Sequence, residues 1–182
     1  MAGEADPAEV LAFWRAAGRD RWYSQDRAFD DEVRRRYLDL WRAAAAGRHA
    51  SWEASDEGAL ALVIVLDQFP RNMFRGDARA YSTDASAREV AGRALDRGAE
   101  GRVDPALREF LYLPFMHSEH LPDQFRCVEL SRRWGDAENL KYAEQHTDII
   151  RRFGRFPHRN RILNRRTTPE EQAFLDAGGF AG

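Results

Sequence analysis

The chain has 182 residues, and its 28 basic and 30 acidic side chains leave a formal net charge of -2 and a pI of about 6.2. At that length folding buries roughly 70% of the surface that the unfolded chain exposes, enough for a core without a metal or disulfide staple. The near balance of charge excludes a polycation held to nucleic acid by overall attraction, and a single cysteine, Cys127, excludes an internal disulfide and favours a reducing setting.

Asp6-Pro7-Ala8-Glu9 supplies an N-cap, a proline at the first helical position and an acid in the first turn. Val10, Leu11, Phe13, Trp14 and Ala17 follow before Gly18, which predicts a first helix. After a link holding Trp22 and Tyr23, apolar residues recur at Phe29, Val33, Tyr37, Leu40, Trp41 and Ala44, spaced to lie on one helix face. Gly47 ends that second helix. Ser55 or Asp56 caps the third, through Ala59 to Leu66. Val63-Ile64-Val65 favours a strand by propensity, but no partner strand is present and a lone strand leaves its backbone unpaired, so a helix buried on most sides is expected. Asp67 and Gln68 at its end then need polar partners.

Thr83-Asp84 predicts the cap of a fourth helix, through Ala87, Val90, Ala91, Ala94 and Leu95 to Gly98. Asp104-Pro105 begins a fifth, with Leu107, Phe110, Leu111 and Leu113 before Pro114 interrupts it. The polar cluster Phe115-Met116-His117-Ser118-Glu119-His120 falls at that break. Pro122-Asp123 starts a sixth, with Phe125, Val128 and Trp134 before Gly135. A seventh places Leu140, Ala143, His146, Ile149, Ile150 and Phe153 on one face and stops at Gly154. Thr168-Pro169-Glu170-Glu171 caps a last one. Seven to eight short helices with brief links predict an all-α protein, a single domain over residues 1–182 with no Pro/Ser-rich linker. The helix starts show no clean period of about 34 residues.

Met1 to Ala8 lacks the basic segment and apolar run of a secretory leader. The longest apolar run, Ala59 to Leu66, spans eight residues, where a membrane helix needs roughly 20. A cytoplasmic protein with no membrane partner is expected.

Lys141 is the only lysine, so positive charge is carried by arginine and is informative where it clusters. Residues 151–166 read RRFGRFPHRNRILNRR, with seven arginines, one histidine and no acid. The stretch lies between two predicted helices, and connections are where sites usually sit. Asp67-Gln68-Phe69-Pro70-Arg71-Asn72, continued by Phe74-Arg75-Gly76, repeats its chemistry: Phe-Pro-Arg-Asn here, Phe156-Pro157-His158-Arg159-Asn160 there. The repetition predicts that the two segments meet.

Three ordered phrases resemble a bacterial family known as domain of unknown function 924. They are Leu66-Asp67-Gln68-Phe69-Pro70-Arg71-Asn72 with Phe74-Arg75-Gly76, Leu113-Pro114-Phe115-Met116-His117-Ser118-Glu119, and Phe153-Gly154-Arg155-Phe156-Pro157-His158-Arg159-Asn160. The similarity runs from Phe13-Trp14 to the helix at Thr168. It implies a tetratricopeptide-like helical stack and leaves the activity undefined. Asn164-Arg165 stands where the resemblance implies Gly-Arg, which implies a different local backbone.

Arginine suits phosphate, sulfate or carboxylate because its planar fork donates two parallel hydrogen bonds and keeps its charge. Arg71, Arg75, Arg155, Arg159 and Arg165 with Asn72 and Asn160 are the candidate clamp, joined by Asp67, Gln68 and Ser118. The plain structural alternative pairs these arginines with Asp67, Glu119, Asp148 or helix-end carbonyls. His117, Glu119, His158 and His146 are the candidate proton carriers, although His146 on an apolar face also reads as a hydrogen-bonded core residue. Ser118 lacks the Gly-x-Ser-x-Gly turn of an exposed nucleophile. A metal held by His117, Glu119, His146 and Asp67 has neither the Glu-x-x-His pairs nor the His-Glu-x-x-His helix to support it. No Gly-rich phosphate loop is present, so no nucleotide cofactor is expected, and Cys127 reads as a small packed residue.

The function expected is an enzyme or small-ligand binder for an anionic metabolite, by elimination or hydrolysis. The alternatives are a helical module that docks a peptide or partner protein and, less favoured, a single-stranded nucleic-acid binder. Interleaved Phe and Arg suit the latter, but the near-neutral total charge opposes it.

Overall fold

The computed structural model describes residues 5–180. Met1 to Glu4, half of the stretch read for a leader, and residues 181–182 lie outside it. The described residues are helical with no strand, and none of their helices is long and apolar enough to cross a membrane. The chain forms two compact units, the first reaching to Arg75 and resuming over Arg79–Pro114, the second made of Gly76–Ala78 and the chain from Phe115 onward.

In the first unit, α1 (Pro7–Ala17) starts at Asp6, whose carboxylate accepts from the Ala8 N–H at 2.9 Å. Gly18, at φ 70°, turns the chain into the single-turn helix α2 (Arg19–Trp22). The Trp22 indole N–H then donates to the Trp14 carbonyl at 2.7 Å, so the segment read as a link is itself folded onto α1. Asp26 caps α3 (Arg27–Ala45), which buries Phe29, Val33, Tyr37 and Ala44 from the expected face. The fully buried Trp14 centres an aromatic core with Trp22, Phe29, Phe69 and Phe110, all at ring separations of 5.6–6.1 Å.

Ser55 caps α4 (Asp56–Val63) by accepting from the Gly58 N–H at 3.0 Å. Gly58 is required there, because a Cβ would lie 2.1 Å from the Trp52 carbonyl oxygen. Residues 59–66 are buried throughout, as a helix rather than the strand that Val63-Ile64-Val65 favours locally. Helix α4 packs against α1 and α6 (Asp84–Asp96), and burial on several sides outweighs β propensity.

The rod continues through a π-helical segment, Ile64–Gln68, into α5 (Phe69–Met73), which packs on α3. Pro70, at the start of α5, has no N–H to add to the helical ladder. The Thr83 hydroxyl donates to the Leu66 carbonyl at 2.6 Å, and the Trp41 indole donates to the same hydroxyl at 3.2 Å. Thr83 sits at the N-cap of α6 but its side chain makes no capping bond, which corrects the expected role.

The fifth predicted helix also differs. Asp104 caps only a turn at Ala106, a 3-10 turn covers Arg108–Leu111, and α7 (Leu113–Met116) is one turn long. Pro114 lies in the first turn of α7, where the missing N–H costs nothing, so it opens a helix instead of interrupting one.

In the second unit, α8 (Leu121–Trp134) and α9 (Ala137–Phe153) form a helical hairpin across Gly135-Asp136. Gly154 ends α9 at φ 68°, its N–H donating to the Ile150 carbonyl at 2.8 Å. A connection containing a 3-10 turn, Pro157–Arg159, leads to α10 (Pro169–Asp176), which opens with a complete capping box between Thr168 and Glu171. Ile149, Ile150 and Phe156 form this unit's apolar cluster, covered by Leu121, Phe153, Phe174 and Phe180.

Candidate functional site

The candidate residues divide between the two units. In the first, Asp67 and Gln68 are buried in the π segment, and the Gln68 amide donates to Asp67 at 2.6 Å. Arg71 donates both guanidinium arms to Asp84 at 2.8 and 3.0 Å and one arm to the Asp67 carbonyl at 2.6 Å. Burial opposes its charge, but Asp67 and Asp84 outweigh burial and hold its pKa above the ordinary arginine value. Arg75 forks onto Asp30 at 2.9 Å through both contacts, and the Asn72 amide reaches the same carboxylate at 2.8 Å. Asp30 and Asp84 stand in the first turns of α3 and α6, where a carboxylate also meets the positive helix end. Arg71, Asn72 and Arg75 therefore tie α5 to α3 and α6.

In the second unit, Arg165 forks onto Glu119 at 2.7 and 2.9 Å and also donates to the Asn160 side chain at 3.0 Å and the Phe156 carbonyl at 3.1 Å. Glu119 accepts the Phe156 N–H at 2.8 Å. Burial works against the Glu119 charge, yet Arg165 and that N–H prevail and keep its pKa below the usual glutamate range. Arg155 forks onto Glu171 at 2.6 and 2.9 Å, and Asn160 donates to Glu171 at 3.0 Å. Led by the Arg155 bonds, these contacts lower the Glu171 pKa to about 2. Asn164 takes φ 52°, the left-handed region that the implied glycine would occupy, so the turn before Arg165 is kept without it.

Two histidines and one arginine gather around Phe156. The buried His146 donates from Nδ1 to the Tyr142 carbonyl at 2.8 Å, which leaves the neutral ring's lone pair on Nε2. Burial first, then the charges of His117 and Arg159, lower its pKa to about 4. His158 is lowered to about 3, again by burial and then by Arg159, and its buried Nδ1 makes no hydrogen bond with the protein. Arg159 is only 7% exposed, and its guanidinium lies 4.5 Å from the Phe156 ring centre. Phe156 contacts His146 at 5.5 Å and His158 at 5.6 Å, and Phe180 meets the same histidines at 4.5 and 5.2 Å. His117, half-buried, is near enough for its charge to act on His146.

Ser118 donates to Asp123 at 2.6 Å and accepts the His120 N–H at 3.1 Å, so its hydroxyl orders the turn into α8. Sequence reasoning missed Gln124, whose buried amide donates to the carbonyls of Phe115, Met116 and Ser118 at 3.3, 2.8 and 2.6 Å and fixes the loop carrying His117. A glutamine one turn into a helix that follows a polar break was the available signal. Cys127 is buried near Ser131, and burial pushes its thiol up to about 12. Among the described residues, no three His, Cys, Asp or Glu side chains are grouped to hold a metal ion.

A groove of about 500 Å³ lies on the α8/α9 hairpin, lined by Phe125, Val128, Arg132, Glu144, Asp148 and Arg151 among others. None of the candidate residues lines it.

Helices throughout the described residues define an all-α protein. The chain belongs to the family described as bacterial protein of unknown function (DUF924), whose model matches residues 10–179. It is similar to the solved structure of the protein of unknown function ATU0120 from Agrobacterium tumefaciens, at 46% identity and a TM-score of 0.91, over 94% of this chain and 97% of that one. No curated protein matches it.

Proposed function

We propose that the second unit binds a small anion, a phosphate, sulfate or carboxylate compound, at His117, His146, His158 and Arg159, and that a histidine exchanges a proton with it. The observation that carries this reading is the buried His158 Nδ1, which has no hydrogen bond to the protein. An unmet buried polar atom costs about 1–3 kcal/mol, and binding sites are where such a cost is retained. A bound anion supplies the acceptor that Nδ1 needs once protonated, and the Arg159 charge attracts it. The anion then favours imidazolium, so a proton is drawn onto a histidine that is neutral in the free protein. That couples ligand charge to proton transfer, the requirement of acid-base elimination or hydrolysis. Arg71, Arg75, Arg155 and Arg165 act as braces in this reading, and Glu119 anchors Arg165 instead of carrying protons.

Sulfate keeps one charge state near neutral pH and is the test ligand. At 100 times its dissociation constant it should add about 2.7 kcal/mol of stability in a thermal-shift titration. His158→Phe, which keeps ring volume, should fold and lose that shift. An equal shift in this variant and the natural protein would refute the site.

A second reading, docking of an amphipathic peptide, is favoured by the α8/α9 groove, where Phe125 is 42% exposed beneath the Arg151 guanidinium. The groove carries acids and arginines together, so a peptide bearing charges of both signs fits it. Arg132→Glu with Arg151→Glu should abolish binding of such a peptide while leaving sulfate binding intact.

A further inference from the structure

The ring of Phe180 covers the histidine pair. It meets His146 at 4.5 Å and His158 at 5.2 Å, both edge to face, and the fully buried Phe156 contacts the same two rings. Phe180 is itself only half-buried and belongs to no helix. Two glycines bring it there. Gly178 takes φ 76°, and a Cβ on Gly179 would lie 2.5 Å from the Phe174 ring and 2.6 Å from the Phe174 carbonyl oxygen. The backbone is thus shaped to lay a flat ring against two neutral imidazoles. A half-exposed ring on a short post-helical segment has less burial to lose on displacement than the rings beneath it.

We propose that Phe180 occupies a ring-binding subsite of this anion site, and that the ligand is an anion bearing an aromatic group whose ring replaces that of Phe180. This rests on the anion reading above and adds the ligand's chemical class. The imidazoles of His146 and His158 form the walls, and edge-to-face packing suits any flat ring. The Nδ1 of His158 and the charge of Arg159 then meet the anionic end. A non-aromatic anion gains the charge contacts alone and leaves Phe180 in place.

Titrations with phenyl phosphate and methyl phosphate, followed through the histidine ring proton resonances, test this. Phe180→Ala should bind phenyl phosphate about tenfold tighter than the natural protein does, because no ring has to leave. Its affinity for methyl phosphate should be unchanged, and Phe180→Leu, which keeps an apolar plug, should fall between the two for phenyl phosphate. Binding of both phosphates with no preference for the ring in Phe180→Ala overturns the subsite and leaves the anion reading standing. Binding of neither overturns both.

Discussion

The hydroxyl of Thr83 donates to the carbonyl of Leu66 at 2.6 Å, fastening the N-cap of α6 to the π-helical segment. Seventeen residues from its acceptor, this side chain gives a carbonyl inside a buried helical rod a hydrogen-bond donor. Thr83→Val keeps the shape and removes the donor. It should cost about 1–3 kcal/mol in urea unfolding, the penalty for an unmet buried acceptor. Thr83→Ser, which retains the hydroxyl, should lose less, and equal losses would show that the methyl group matters instead.

Glu119 and Arg165 should be energetically coupled. Their side chains are 28% and 21% exposed, so solvent screening moderates the pair. A double-mutant cycle with Glu119→Gln and Arg165→Gln should give a coupling of about 1–2 kcal/mol. Additive losses would mean that the fork contributes no more than its separate contacts.

Acid should destabilise the fold before the carboxylates titrate. His146 and His158 have folded pKa values near 4 and 3, below the unfolded value. Their contribution is complete above about pH 6.5 and is lost as pH falls, because the unfolded chain then binds protons that the folded rings refuse. Each histidine can steepen the loss by up to about 1.4 kcal/mol per pH unit between about pH 6 and 4. Glu119 and Glu171, both lowered, act in the same direction only at more acid pH. His146→Phe should flatten the upper part of that profile, and an unchanged slope in chemical denaturation would contradict the assignment.

Asn164 is held in the left-handed region at φ 52°. Asn164→Val should cost about 1–2 kcal/mol in thermal unfolding, whereas Asn164→Gly should be close to neutral. Equal effects would show that the Asn164 side chain has a separate role.

The helices that could be read from the sequence are those whose ends carry their own chemistry. Asp6-Pro7, Ser55 and Thr168 with Glu171 cap as read, and the period of Phe29, Val33 and Tyr37 gives the buried face of α3. Thr83 misled because its hydroxyl is spent on a carbonyl seventeen residues away, a long-range bond invisible to local pattern. The segment after Asp104 misled because apolar spacing fits 3-10 turns as well as one helix. Among the candidate residues, Glu119 was legible as an acid for the arginines of residues 151–166, but not that Arg165, 46 residues away, would be the one to take it. Glu171 was legible as a capping residue, and its second task of holding Arg155 and Asn160 depends on the fold of the whole connection.

That connection is also the richest run of trypsin targets in the sequence. Its backbone is not an available substrate, because the Leu163 N–H is bound to the Arg159 carbonyl at 2.9 Å and the Arg165 N–H to the Asn160 carbonyl at 2.8 Å. Arg161 is exposed within that hydrogen-bonded turn, and a protease must straighten several residues on either side of a bond before cutting it. Cleavage therefore has to await a local opening that breaks the Glu119 and Glu171 anchors. In limited digestion, fragments ending at Arg161 should emerge late, and Glu171→Ala should bring them forward.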